Sequence, residues 1–359
     1  MNKSIIYILF LFYHSSSFSN TDTTRLKLIF AGDIMGHGAQ IESAYNTESD
    51  NYNYDTCFYF IKNMLQDADI ALANLEVTLA GKPYKGYPEF SSPDELPDAI
   101  KKAGFNVLVT ANNHSMDGSK AGLERTIEVL DEKGIIRTGT FKDEEQRKRN
   151  YPLIIEKNNI RLAILNYTYG TNGIPVKAPN IVNLIDTALI AADLKKAASA
   201  EPDFIFVTIH WGEEYQRNEN IVQRNLGQFI FENGADAIIG SHPHVVQPIK
   251  EIYPDSTDSS RVNLIAYSLG NLISNQRKIH TDGGILLEVV LEKSDKTKIL
   301  QYSWEPVWVY KSENSGKIDF LLLPGNESEN LKDFHNMNES DRKSYDTFLK
   351  ETEDLLRNQ

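Results

Sequence analysis

The stretch FIFVTIHWGEEYQRNENIVQRNLGQFIFENGADAIIGSHPH (204–244) decides the fold. FIFVTIH (204–210) is a short apolar run closing on His210, the pattern of a strand buried on both faces. IVQRNLGQFIFENG (221–234) has helical apolar spacing and stops at Gly234. ADAIIG (235–240) is a second buried-strand run, and SHPH follows at once. Strand, helix, strand at this spacing is a βαβ unit with parallel strands. The polar residues that close the two strands then lie at one end of the sheet, where α/β folds build their sites. If SHPH stays extended, His242 and His244 point the same way, with Pro243 fixing the backbone between them.

The same grammar repeats outward. LKLIFA (26–31) runs into Gly32 and Asp33, and IALAN (70–74) is followed by Glu76. FNVLVTA (105–111) is followed by Asn112, Asn113 and His114, and RLAILNY (161–167) is a further strand. Helical spacing appears in FYFIKNMLQ (58–66), at 98–103, in KAGLERTIEVLDEKG (120–134) and in ALIAADLKKAASA (188–200). VNLIAYSLGN (262–271) and GILLEVVLE (284–292) come without intervening helices. They suit either an antiparallel part of the sheet or a second sheet packed on the first. After about residue 295 the pattern weakens. Short strands in YSWEPVWVY (302–310) and FLLLPG (320–325) and a polar helix around 344–356 are expected there. The expected organisation is a main domain over 24–294 and a C-terminal extension over 295–359.

With 359 residues, 41% of them hydrophobic, the chain can bury a core without disulfides. Cys57 is the only cysteine, so no internal disulfide and no cysteine zinc site can form. A net charge of -13 without a basic cluster argues against nucleic acid as a partner. The N-terminus places Lys3 before the apolar run IIYILFLFY (5–13), with Ser17 and Ser19 beyond it. That is the pattern of a signal peptide over 1–19, too short to span a bilayer as a helix. Export to the periplasm or the cell exterior is expected, with an uncleaved membrane anchor as the alternative.

The strand ends collect Asp33, Asn74, Glu76, Asn113, His114, His210, His242, His244 and Asn271. Singly, such residues are turn formers, caps or packed histidines. Together they are a mixed nitrogen and oxygen set, suited to Mn, Zn or Fe rather than calcium. His37, His114, His210, His242 and His244, five of the eight histidines, lie just after strands, which favours one common site.

Six motifs in order carry a resemblance: GDIM (32–35), ANLE (73–76), NNHSMD (112–117), HWGEEY (210–215), GSHPHVVQP (240–248) and YSLGN (267–271). They resemble the poly-gamma-glutamate capsule synthesis family, the CapA-type proteins, across about residues 26–291. That family is similar in turn to calcineurin-like metallophosphoesterases. The resemblance implies a four-layer α/β/β/α sandwich and an exported protein of capsule or poly-gamma-glutamate synthesis or export. A cell-surface polymer or a small anionic substrate, and a membrane-bound synthesis or export complex, are the implied partners. It also implies a site for one or two divalent ions and a hydrolase or transferase activity. Asp33 and His244 would then serve a first ion, Asn113, His210 and His242 a second, with Glu76 bridging and His114 as general acid.

Two departures from the phosphoesterase pattern stand out. Met35 occupies the place of a histidine, and Glu76 that of a shorter aspartate. A thioether is a poor ligand for a hard or borderline ion. His37 is a candidate substitute, and a non-catalytic protein with a vestigial site is the alternative. Asp117 either orients His114 or caps the helix near Ser119. Glu214 is a candidate acid or base beside Glu213. Trp211, Tyr215, Asn271 and Arg277 are candidate substrate-binding residues, Arg277 for a carboxylate or phosphate. A protein of charge -13 repels polyglutamate over a Debye length of roughly 8 Å. This points to a small substrate unless a metal in the cleft offsets the repulsion.

Overall fold

The computed structural model describes residues 23–253, 262–314, 317–326 and 337–357. The expected signal peptide lies outside them. The chain opens with β1 (Thr24–Ile34), α1 (Gly38–Ala44), α2 (Lys62–Gln66) and β2 (Ile70–Leu75). There follow α3 (Glu95–Ala103), β3 (Val107–Val109), α4 (Ser119–Glu132) and β4 (Ile136–Thr138). Next come α5 (Glu144–Asn150), β5 (Leu153–Lys157), β6 (Ile160–Thr168) and α6 (Thr187–Ala198). The unit quoted above is β7 (Phe204–His210), α7 (Ile221–Glu232) and β8 (Ala237–Ser241). Then come β9 (Ile249–Ile252), β10 (Asn263–Ala266), β11 (Asn271–Ile273) and β12 (Gly283–Lys293). β13 (Thr297–Asn314), β14 (Lys317–Pro324) and α8 (Glu339–Arg357) complete it.

The strands form two large sheets. The first runs β14-β13-β12-β1-β2-β3-β4, with β11 also paired to β1. The second runs β9-β10-β8-β7-β6-β5. β1 to β4 are parallel to one another, as are β6, β7, β8 and β10. β12, β13 and β14 join antiparallel.

Side-chain alternation along the central strands builds the layers. Leu26, Leu28 and Phe30 of β1 face Phe204 and Phe206 of β7 in one shared core, where the Phe30 and Phe206 ring centroids are 4.9 Å apart. Ile29 and Ala31 point the other way, into a core with Leu96 and Ile100 of α3 and Leu130 of α4. Ile205, Val207 and Ile209 pack on Ile190 and Leu194 of α6 and Ile230 of α7. The result is the expected α/β/β/α sandwich. Asp186 caps α6 by accepting from Leu189 N, and Asn220 with Gln223 forms a capping box on α7.

Three local expectations are corrected. VNLIAYSLGN is two strands: β10 belongs to the second sheet and β11 to the first, so residues 267–270 cross between sheets. The helical spacing in 58–66 yields only a 3-10 turn (Asp55–Phe58) and the short α2. Past residue 295 the strands are not short. β13 has 18 residues and pairs with β12 from Lys293↔Thr297 to Gly283↔Trp308. Its alternating polar residues hid it, yet around residues 306–310 both of its faces are covered. Val307 and Val309 enter the first core, while Trp308 and Tyr310 pack under Tyr345 and Phe348 of α8. Among the described residues no helix is long and apolar enough to cross a membrane.

Candidate metal centre

The two sheets bring the carboxyl ends of their parallel strands to one place. Asp33, near the end of β1, lies in register with Asn74 of β2 and Asn271 of β11. Gly32 makes this crowding possible: a Cβ there would sit 1.9 Å from Gly270 O. The segment crossing between sheets is held by Asp33 N donating to Gly270 O and Leu269 N donating to Gly240 O. His242 N donates to Asp33 Oδ2 at 3.3 Å, which ties the second sheet's loop to the first sheet's carboxylate.

Glu76 is at the centre. It is fully buried, and both its carboxylate oxygens lack a hydrogen-bond partner. Oε1 lies 3.8 Å from His210 Nε2 and 3.9 Å from His244 Nε2. Burial first, then the neighbouring Asp33 carboxylate, holds its pKa well above the ordinary value. Asp33, Glu76 and His244 offer ligand atoms within 4.8 Å of one another. His244 Nδ1 is 3.3 Å from Asp33 Oδ2 and 3.1 Å from Asn271 Oδ1.

On the other side of Glu76, His210 Nε2 and Asn113 Oδ1 are 2.9 Å apart. Asn113 Nδ2 donates to Asn172 Oδ1, which leaves Oδ1 facing the histidine. His210 Nδ1 lies 2.9 Å from Ser241 Oγ and 3.3 Å from Asn74 Nδ2, and Asn74 Nδ2 also donates to Asp33 Oδ1. Desolvation, reinforced by His242 and His244, holds His210 well below the usual imidazole value. The His242 ring centroid is 4.8 Å from that of His210. Desolvation, then His244, lowers His242 to about 4, and its buried Nδ1 has no partner. Neutral imidazoles are the ligand form.

His242 and His244 do not lie on an extended segment. Residues 242–245 form a bend, with φ of 99° at His242 and 59° at His244. Left-handed backbone at two non-glycine residues costs energy, and such strain clusters at functional sites. The two ring centroids are 6.0 Å apart.

The six residues expected as ligands thus lie at the same end of the two sheets, three of them, Asp33, Glu76 and His244, with ligand atoms grouped together. Unpartnered buried oxygens on Glu76, an unpartnered nitrogen on His242 and a mixed imidazole, amide and carboxylate donor set fit a transition-type divalent ion.

Known proteins supply the wider context. The family model described as "Bacterial capsule synthesis protein PGA_cap" matches residues 27–276. The chain belongs to the PGA_cap family. The capsule biosynthesis protein CapA of Bacillus anthracis is 28% identical over 291 residues, 78% of this chain and 67% of that one. The PGA biosynthesis protein CapA of Bacillus subtilis (strain 168) is 28% identical over 276 residues, 75% of this chain and 68% of that one. Among solved structures, the Haemophilus influenzae NAD nucleotidase NadN shares the fold. Its TM-score is 0.50 at 12% identity, covering 92% of this chain and 68% of that one.

Within this PGA_cap chain the remaining candidates fall out as follows. His114 Nδ1 is 2.8 Å from Asp117 Oδ2, which also accepts from Phe90 N. Asp117 thus orients His114, and the residue before α4 is Gly118, which provides no side-chain cap. Met35 packs into the first core. His37 Nδ1 donates to Gln40 Oε1 and lies 3.3 Å from Asn275 N, and His37 is absent from the group formed by Asp33, Glu76 and His244.

Three substrate-binding expectations are corrected. Trp211 is 2% exposed, donates from Nε1 to Tyr267 O and packs in the core under α7. Asn271 is buried, its amide taken up by Thr281 O, Gln276 Oε1 and His244. Arg277 donates to Gln276 O, and its guanidinium lies 6.0 Å from the Phe320 ring. Tyr215 does reach the centre, with its ring 6.2 Å from that of His244, and burial followed by the neighbouring Glu214 pushes its hydroxyl pKa up.

Tyr169 was missed. It is 49% exposed, and its ring lies 4.5 Å from that of His242 and parallel to that of His210. It follows the end of β6, so the strand-end rule that found the histidines would have found it too. Asn172, in the same loop, also reaches within 3.5 Å of His114 Nε2.

Proposed function

We propose that this chain is a divalent-metal-dependent hydrolase or transferase of capsule assembly, working at the cell surface on a phosphate ester or an amide-linked polymer. The observation that carries the proposal is Glu76, whose two buried, unpartnered oxygens lie between His210 and His244. Asp33, Glu76 and His244 would hold one ion; Asn113, His210 and His242, with Glu76 shared, would hold another. Mn, Zn or Fe suits this donor set. A divalent ion supplies Lewis acidity to a phosphoryl or carbonyl oxygen. His114 holds a proton at Nε2 for the leaving oxygen, while Asp117 keeps the ring oriented through Nδ1. Tyr169 covers one side of the histidines and limits their contact with water.

The capsule role rests on the family and on the names of its two Bacillus relatives. Export by a cleaved or anchoring N-terminus, and work beside a membrane-bound polymer assembly, belong to the same proposal.

Metal analysis of the purified chain, with a phosphatase and phosphodiesterase panel in added Mn or Zn, tests it. At least one ion per chain and hydrolysis lost in His242→Ala and His244→Ala are expected. Less than one ion and no hydrolysis would overturn it. A second reading has one observation in its favour: Met35, at the position of a phosphoesterase histidine, is packed in the core and leaves the first site one ligand short. A non-catalytic assembly component would bind metal and turn nothing over.

A further inference from the structure

Several surface lysines are paired. Lys27, Lys85, Lys142, Lys250 and Lys293 each meet a carboxylate. Lys278 makes no such pair among the described residues. Its Nζ instead sits 3.6 Å from the centroid of the Tyr215 ring.

That ring belongs to the mouth of the metal centre. It is 6.2 Å from the His244 ring, and Tyr215 N donates to Pro243 O, between the two histidine ligands. Tyr215 also has a left-handed backbone, with φ of 69°. The strained backbone and the bond to Pro243 fix the ring, and with it the resting place of the ammonium. Glu214, the residue before it, helps to raise the pKa of the Tyr215 hydroxyl, and among the described residues it forms no ion pair with Lys278.

A cation on an exposed aromatic face is held weakly, and a charge-assisted hydrogen bond to an incoming anion is stronger. The chain as a whole carries -13, so an unpaired ammonium beside the cleft is a local exception that acts within a Debye length of roughly 8 Å. Arg277, the neighbouring cation, is turned toward Gln276 O and Phe320.

We propose that Lys278 is an anion receptor beside the metal centre, taking a second anionic group of a substrate whose first anionic group occupies the metal site. The group is a carboxylate or a phosphate, and the substrate is therefore at least doubly anionic around the bond that is handled. The proposal rests on the metal-centre reading above.

The test uses the full chain loaded with Mn and titrated calorimetrically. One ligand is inorganic phosphate; the other is phosphonoacetate, a phosphonate joined to a carboxylate by one methylene. Metal content is measured after each titration. Phosphonoacetate is expected to bind about tenfold tighter than phosphate. Lys278→Met should erase that preference and leave phosphate affinity unchanged, Lys278→Arg should keep most of it, and Arg277→Met should alter neither. Equal affinities in the wild type, or a preference that survives Lys278→Met, would overturn the receptor and leave the metal centre standing. Failure of both ligands to bind the metal-loaded wild type would overturn the metal-centre reading and the receptor with it.

Discussion

Asn271 Oδ1 lies 3.1 Å from His244 Nδ1, while Asn271 Nδ2 donates to Thr281 O at 2.8 Å. The second contact fixes which end of the amide faces the imidazole. His244 then carries its proton on Nδ1, and Nε2 is free toward Glu76. Partners of this kind typically govern metal affinity by 10–100-fold. Asn271→Ala is expected to weaken Mn or Zn binding by roughly that factor in a chelator competition, with circular dichroism unchanged.

Glu76 is predicted to be a liability without metal. Its raised pKa means the folded chain holds a proton that the unfolded chain releases above about 4.5. That contribution is complete below the unfolded value and is lost as pH rises toward the folded one. Glu76→Gln removes the cost. At pH 8 the metal-free variant should melt at or above the wild-type temperature, whereas added Mn should raise the melting temperature of the wild type alone. A metal-induced shift in Glu76→Gln as large as in the wild type would remove Glu76 from the ligand set.

Much of this was legible in the chain because the physics is local. Buried parallel strands announce themselves as apolar runs, and their terminal polar residues are then neighbours in space; Asp33, Glu76, Asn113, His210, His242 and His244 were read that way. What was not legible depended on the second sheet. Trp211 looked like a cleft residue because it follows His210, yet its Nε1 reaches Tyr267 O across the strand layer. The bend at His242 and His244 goes with a bond from His242 N to Asp33 of β1, a long-range contact that no local pattern of SHPH encodes. β13 was read as short because exposed polar residues interrupt it, although α8 covers one face.

His37 is predicted to be a structural histidine. Burial lowers its pKa to about 4, against the opposing hydrogen bond that its Nδ1 donates to Gln40 Oε1. The unfolded chain takes up a proton at this residue below about 6.5, and the folded chain does so only near 4. Stability is therefore present above 6.5 and is lost as pH falls from 6.5 to 4, by about 1–3 kcal/mol. His37→Gln should flatten the acid side of a melting-temperature profile. Because its Nδ1 is engaged by Gln40 and Asn275, metal stoichiometry should not change in His37→Ala.

Gly32 is predicted to be irreplaceable. Any Cβ there meets the Gly270 carbonyl at 1.9 Å, and both partners are backbone, so neither can swing aside. Gly32→Ala should cost about 3 kcal/mol in urea unfolding. It should also weaken metal binding, because Asp33 N donates to the same carbonyl and would be displaced with it.

Asp117 separates the chemistry from the fold. Its Oδ2 accepts from both Phe90 N and His114 Nδ1, and its Oδ1 is buried without a partner. Asp117→Ala leaves two buried donors unsatisfied and should lose roughly 1–3 kcal/mol of stability or more. Asp117→Asn can keep the bond to Phe90 through its amide oxygen, but it removes the negative charge beside the imidazole. If His114 delivers the proton to the leaving oxygen, kcat should fall about 100-fold or more with KM and metal content unchanged. A full kcat in metal-replete Asp117→Asn would show that His114 is no general acid and acts only in holding the cleft together.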